Sequence, residues 1–435
     1  MNGNTSSPRR RWTRLAAAVM AAASLLLVAG VSVTSAKTRA TVTLKVLAQS
    51  NGQGNPQLQQ VFDIFQKKNP DIKIEATYLP IGDSYANTLR TQLQGGNGPD
   101  VFYVTPGSGG LQSVLPLAKA GYVADLSKRA WATKIPLATS ARPLYWQGAK
   151  LYAVPIDVVP VGVLYHPDLL TSLGLKVPTT MKQFLSACAT AKSKGKSFLN
   201  VAGASAQNAG LLAVEIAGSY VLAKDPQWNA KRQAAKVTFA GTPGWRASLQ
   251  RIVDMKNAGC FPAGAEANDN VPATPAFVSG QVASWVLPAS ITNLIKSFNK
   301  QAQYNFFAMP GETAASTQVF ASPTDAFAVN SKASNKAAAL RFADFWATPL
   351  ASGAYAKATG ASSVYQAGTG KHLAYELRGI APILKQKDKV HTLMQIEWSN
   401  PAVYDTLGKD VQGLLTGQKT VSATLADLDA AWAGK

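Results

Sequence analysis

Two cysteines, three histidines and 23 acidic residues are all that this 435-residue chain offers of the groups that most often hold metals or run acid–base chemistry. Cys188, Cys260, His166, His372 and His391 stand far apart in no ligand spacing, so no zinc or iron site is expected. Charge is scarce as well, at 15% of residues against 47% hydrophobic, which excludes a disordered chain, a coiled coil or a collagen-like rod. No apolar run beyond residue 33 approaches the roughly 20 residues that cross a bilayer as a helix. The acids are outnumbered by 43 Lys and Arg, giving +20. Those bases are scattered, as at Lys67-Lys68, Lys192 to Lys196 and Lys231-Arg232, and lack interleaved stacking aromatics, so no nucleic-acid partner is expected. The excess suits attraction to an anionic wall polymer or membrane. The length exceeds one ordinary core and predicts two or three domains.

The first 36 residues read as a targeting segment. Arg9, Arg10, Arg11 and Arg14 precede an uncharged run from Leu15 to Val33, and the small residues Thr34-Ser35-Ala36 suit cleavage. The arginines fit a general export signal or, in part, a twin-arginine one. A run of 19 residues also nearly spans a bilayer, so an uncleaved anchor is the alternative to a cleaved signal. Either way the body works outside the cytoplasm, and those four arginines leave +16 for it. No cysteine follows the run to take a lipid. In an exported chain the even pair Cys188 and Cys260 reads as one disulfide, with two buried thiols as the alternative. A bridge closing about 72 residues is worth roughly 4 kcal/mol in the chain-entropy model.

Along the body, Leu44, Val46 and Ala48 alternate in a strand that runs into the polar loop Gln49 to Gly54. Asn55 caps the next helix, Pro56 suits its first turn, and Leu58, Val61, Phe62 and Phe65 share one face. Ile72, Ile74, Ala76 and Tyr78 alternate in a second strand, Tyr85, Leu89 and Leu93 stripe a second helix, and Val101–Val104 form a third strand. This β-α-β-α-β order predicts an α/β fold with a mainly parallel sheet flanked by helices. Open sheets of this kind bind ligands beyond the carboxyl ends of their strands, where the loops at 49–54, 80–84 and 105–110 gather. Further strands are expected near Val161–Tyr165, Val282–Val286 and Ala326–Val329. Helices are expected near Met181–Lys192, Trp245–Ala258 and, at the end, through Val421, Leu425, Leu428 and Trp432.

Catalytic patterns fail on inspection. Gly195-Lys196-Ser197 ends like a P-loop, but Thr190 stands where the leading glycine belongs. Gly203-Ala204-Ser205-Ala206-Gln207 lacks the second glycine of a nucleophile elbow. Gly107-Ser108-Gly109-Gly110 is too short for a dinucleotide fingerprint and follows the third strand. A glycosidase needs two opposed carboxylates, and Asp83, Asp157 and Asp325 are the acids available to supply them.

The chain resembles the extracellular solute-binding proteins of ABC importers, the maltose-binding-protein-like group called family 1. The resemblance runs from about residue 42 to 432. It rests on Phe65 before Asn69-Pro70-Asp71-Ile72, on Gly95-Gly96-Asn97-Gly98-Pro99-Asp100-Val101, and on Gln147-Gly148-Ala149-Lys150-Leu151-Tyr152. Val163-Leu164-Tyr165-His166-Pro167-Asp168, Phe277-Val278-Ser279-Gly280-Gln281 and Leu414-Leu415-Thr416-Gly417 complete it. His166 departs from the usual asparagine and Trp285 from the smaller residues common there. The lipid-attachment cysteine usual in Gram-positive members is missing.

The resemblance implies two α/β lobes that close like a hinged clamp: 40–156 with 284–328, and 160–280 with 332–435. Crossings are implied near Asp157–Tyr165, Gly280–Trp285 and Asn330, with Cys188 and Cys260 both in the second lobe. It implies an exported monomer that captures a mono- or oligosaccharide and hands it to permease transmembrane subunits. No cofactor and no catalysis are implied, and the protein is peripheral or N-terminally anchored at the outer face of the cell membrane. A secreted carbohydrate-active hydrolase and a wall-adhesive protein are the alternatives. The expected ligand residues are Gln49, Asn51, Asp83 and Thr105 at strand ends, Asp157 and Asp325 near crossings, and the aromatics Trp285, Trp398 and Tyr404.

Overall fold

The computed structural model describes residues 41–50, 54–80, 83–137, 139–366 and 373–434. The targeting segment and His372 lie outside them. Residues 41–435 form one compact unit built around two sheets.

The first sheet has the order Ile72–Pro80, Val42–Ser50, Val101–Val104, Ala326–Val329, Val154–Pro155. Its first three strands are parallel, and Ala326–Val329 runs antiparallel between Val101–Val104 and Val154–Pro155. The helix Pro56–Lys68 starts as its sequence dictates. Asn55 Oδ1 accepts from Leu58 N at 3.0 Å, Pro56 needs no donor in the first turn, and Leu58, Val61, Phe62 and Phe65 are buried.

The second sheet runs Val390–His391, Val319–Ser322, Val159–Tyr165, Val282–Pro288, Ser197–Asn200, with Asn305–Phe307 also paired to Val159–Tyr165. Cys188 and Cys260 are bridged, their Cα atoms 4.5 Å apart, which ties the helix Met181–Ser193 to the turn after the helix Pro243–Asn257.

Each sheet has its own core, and the two cores divide the chain differently from the expectation. Residues 282–322 belong with the second sheet. Val282–Pro288 pairs antiparallel with Val159–Tyr165 over five residues, from Val161↔Pro288 to Tyr165↔Ser284, so it is no crossing. Its apolar side chains are buried on both faces, Ala283 and Val286 in one cluster and Trp285 and Leu287 in another. Asn330 lies in the first lobe, where its N donates to Asp100 O at 2.9 Å and its Nδ2 to Pro99 O at 2.9 Å. The helices Lys336–Trp346 and Pro349–Thr359, expected in the second lobe, pack in the first. Phe342 lies 5.8 Å from Phe62, 5.5 Å from Phe65 and 5.2 Å from Phe327, ring centre to centre. Such aromatic clusters dominate core energetics, which makes this helix pair the cover of the first sheet.

Three crossings join the lobes. Residues 156–158 run from Val154–Pro155 to Val159–Tyr165, and 323–325 run from Val319–Ser322 to Ala326–Val329. The third passes Ser362, whose backbone exchanges hydrogen bonds with Val158 at 2.9 and 3.0 Å.

Candidate functional site

Asp157, fully buried, and Asp325, half-buried, stand one on each of the first two crossings where the lobes meet. Asp157 Oδ1 accepts from Asp325 N at 3.1 Å and Thr324 N at 3.2 Å, with Thr324 Oγ1 at 3.3 Å from Oδ2. Asp325 accepts from the hydroxyls of Tyr103 at 2.7 Å and Tyr355 at 2.8 Å. Loss of water raises the pKa of both acids, and the charge of Asp325 raises Asp157 further, well above the carboxylate range. The tyrosines Tyr103, Tyr145 and Tyr355 are pushed up by burial and then by these acids.

Asp157 is the carboxylate expected to accept sugar hydroxyls. It is fully buried, and its acceptors are spent on the neighbouring crossing. Nor do Asp157 and Asp325 offer a glycosidase pair, which needs two carboxyls open to a sugar from opposite sides: Asp157 is fully buried and bonded to the backbone of Thr324 and Asp325.

Above this floor lies the rim made by the carboxyl ends of the first sheet's strands. Gln49, one residue before the end of the strand Val42–Ser50, is buried, with its carbonyl accepting from Asn55 Nδ2 at 3.0 Å and its own Nε2 meeting no partner among the described residues. Thr105 follows Val101–Val104, its Oγ1 3.0 Å from Ser113 Oγ. Asn51 lies outside the described residues, and so does the side chain of Asp83, the residue that opens the helix Asp83–Gln94.

The glycine turn read as a poor dinucleotide motif reaches across to the other lobe. Ser108 N donates to Ile396 O at 3.1 Å, and Ser108 Oγ to Trp398 O at 3.1 Å. A Cβ on Gly107 would lie 2.1 Å from Ile396 O, and one on Gly109 2.0 Å from Gln395 O. Gly107 also has φ +70°, so two separate constraints demand glycine there.

The three expected aromatics are chiefly packing residues. Trp285 is 2% exposed, edge-on to Phe277, with Nε1 donating to Asn208 Oδ1 at 3.1 Å. Trp398 is wholly buried against Phe239 and Trp245, its Nε1 on Asn229 Oδ1 at 3.2 Å. Tyr404 is half-buried over Gly210, its hydroxyl donating to Gln207 O at 2.8 Å. The sequence reading missed Tyr103, Tyr355, Ser108 and Gln395. Only the glycines around Ser108 left a signal. Among the described residues no group of three His, Cys, Asp or Glu is placed to hold a metal ion. His166 Nε2 lies 2.7 Å from Phe277 O, and His391 Nε2 2.8 Å from Gln318 Oε1.

Two lobes joined by three crossings, with a polar floor and rim between them, are the layout of a binding clamp. The sequence profile of the bacterial extracellular solute-binding proteins matches residues 50–351. The chain belongs to that family.

Among relatives of this solute-binding protein is the multiple sugar-binding protein of Streptococcus mutans serotype c, 24% identical over 303 residues, or 68% of each chain. The melibiose/raffinose/stachyose-binding protein MelE of Bacillus subtilis is 31% identical over 133 residues, covering 30% of this chain and 29% of MelE. The fold matches RafE in complex with raffinose at a TM-score of 0.75 and 21% identity, over 90% of this chain and 99% of RafE. It also matches the GacH receptor of Streptomyces glaucescens at 0.73 and 18% identity, over 91% and 98%. Membership makes the protein an extracellular or periplasmic binder of solute and not an enzyme. No helix among the described residues is long and apolar enough to cross a membrane.

Proposed function

We propose that this solute-binding protein captures a neutral oligosaccharide between its lobes and presents it to the transmembrane subunits of an ABC importer. The observation that carries the reading is the rim of the first sheet. Gln49, near the end of the strand Val42–Ser50, keeps a buried Nε2 donor that no group among the described residues accepts, the kind of group a sugar hydroxyl satisfies. Thr105 supplies a further hydroxyl at the end of the neighbouring strand, and Asn51 and Asp83 remain proposed contacts from the adjoining loops. Two relatives carry sugar-binding names, one of them for raffinose and stachyose. Neither rim loop, 49–54 or 105–110, contains Arg or Lys, which argues against a sugar phosphate.

Capture works by closure. Ligand that touches both lobes favours the closed state by its differential contacts, and the crossings at 156–158 and 323–325 take up the change. The protein acts as a monomer held at the outer face of the membrane, peripherally or by residues 1–36. Calorimetric titration with raffinose, stachyose and glycerol phosphate tests the reading. Saturation by a neutral sugar and none by the phosphate ester is expected; the reverse preference overturns it.

A further inference from the structure

Gln395 is buried, at 7% exposure, yet its Oε1 accepts no hydrogen bond among the described residues. A buried acceptor without a donor lowers stability, and most such groups in folded proteins are satisfied, so one that persists invites a partner from outside the chain.

Its setting is rigid. The turn Met394–Glu397 is held to the second lobe by Asn229, whose Nδ2 donates to Met394 O at 3.0 Å and to Glu397 Oε2 at 2.8 Å. Leu393 N, just before the turn, donates to Ser322 Oγ at 2.6 Å. From the first lobe the glycine turn presses on the same backbone, Ser108 N on Ile396 O and the Cα of Gly109 under Gln395 O. Ile396 packs against the cores of both lobes. The carboxamide of Gln395 is thus carried on a backbone fixed from both sides of the seam. Sites that bind ligands well are built on such supported backbone.

The partner this seam calls for is a hydroxyl-bearing molecule. Gln49 supplies an unsatisfied donor from the first lobe and Gln395 an unsatisfied acceptor from the second. A polyol or sugar hydroxyl both donates and accepts, and a ligand that bridges the two lobes stabilises closure.

We propose that Gln395 is a ligand-binding residue of the interlobe cleft, the second lobe's hydrogen-bonding contact to a hydroxyl-rich solute. This deepens the oligosaccharide reading above and rests on it for the identity of the solute.

The test is Gln395→Leu in the full chain, similar in size and without the polar group. Its melting temperature without ligand should equal or exceed that of the wild type, because an unmet polar group has been removed. Its affinity for raffinose or stachyose, whichever binds the wild type, should fall roughly tenfold to hundredfold. A melting temperature lower by several degrees would show that the carboxamide serves the fold and would overturn the proposal, as would unchanged affinity. If neither protein binds either sugar, the sugar reading fails and the assignment of Gln395 falls with it, whereas wild-type binding that the variant keeps overturns the assignment alone.

Discussion

Asp157 Oδ1 accepts a hydrogen bond from Asp325 N at 3.1 Å at the place where two interlobe crossings run side by side. Two neighbouring acids drawn away from water resist carrying charge together. Both pKa values are raised in the fold above the ordinary 3.8. The folded state therefore binds protons more tightly than the unfolded chain, and the stability this gives is complete below pH 3.8. It is lost as pH rises from there through the raised values. Asp157→Asn keeps the oxygen that accepts from Thr324 and Asp325 and removes one of the two titrating carboxyls. Melting curves from pH 4 to 8 should show the variant gaining on the wild type as pH rises. A constant offset across that range would contradict the raised pKa of Asp157.

Trp398 was expected in the cleft and lies in the second core, between Phe239 and Trp245 and on Asn229. Trp398→Ala should cost about 3–5 kcal/mol of stability, the usual range for removing a large buried aromatic. Denaturant unfolding measures it. A loss of binding with stability intact would return the residue to the ligand.

Gly109 stands against the carbonyl of Gln395, where a Cβ would sit 2.0 Å away. Gly109→Ala must push the seam apart or shift the turn. The expected result is a larger radius of gyration in small-angle scattering and weaker solute binding, with little change in melting temperature because neither core is touched. An unchanged radius and unchanged affinity would show that the seam plays no part in closure.

Much of the fold was legible because its periodicities are strong. The alternation of Leu44, Val46 and Ala48 and the stripe Leu58, Val61, Phe62, Phe65 placed the first strand and helix, and Asn55 caps as its type and position predict. The lobe boundaries were not legible in the same way. The strand Val282–Pro288 is apolar throughout, so its pattern suits either sheet, and only its pairing with Val159–Tyr165 decides. The helix Lys336–Trp346 shows an apolar stripe without saying which sheet it covers, which depends on the fit of Phe342 against Phe62 and Phe65.

The site was read less well, for a related reason. Gln49 and Thr105 stand at strand ends as their positions in the sequence predict, since topology fixes where strand ends point. Trp285, Trp398 and Asp157 were chosen for residue type, and type does not distinguish a ligand contact from a buried tryptophan or a hinge carboxyl. Gln395 carries no local signal. It stands out only when its environment leaves an oxygen unmet.

The central claim is reversible capture of an oligosaccharide without chemistry. Tryptophan fluorescence of residues 37–435 during titration with raffinose, stachyose and melibiose, followed by chromatography of the recovered sugar, tests it most directly. The account predicts a saturable change and sugar returned intact. Cleaved sugar, or silence to every sugar offered, would contradict it.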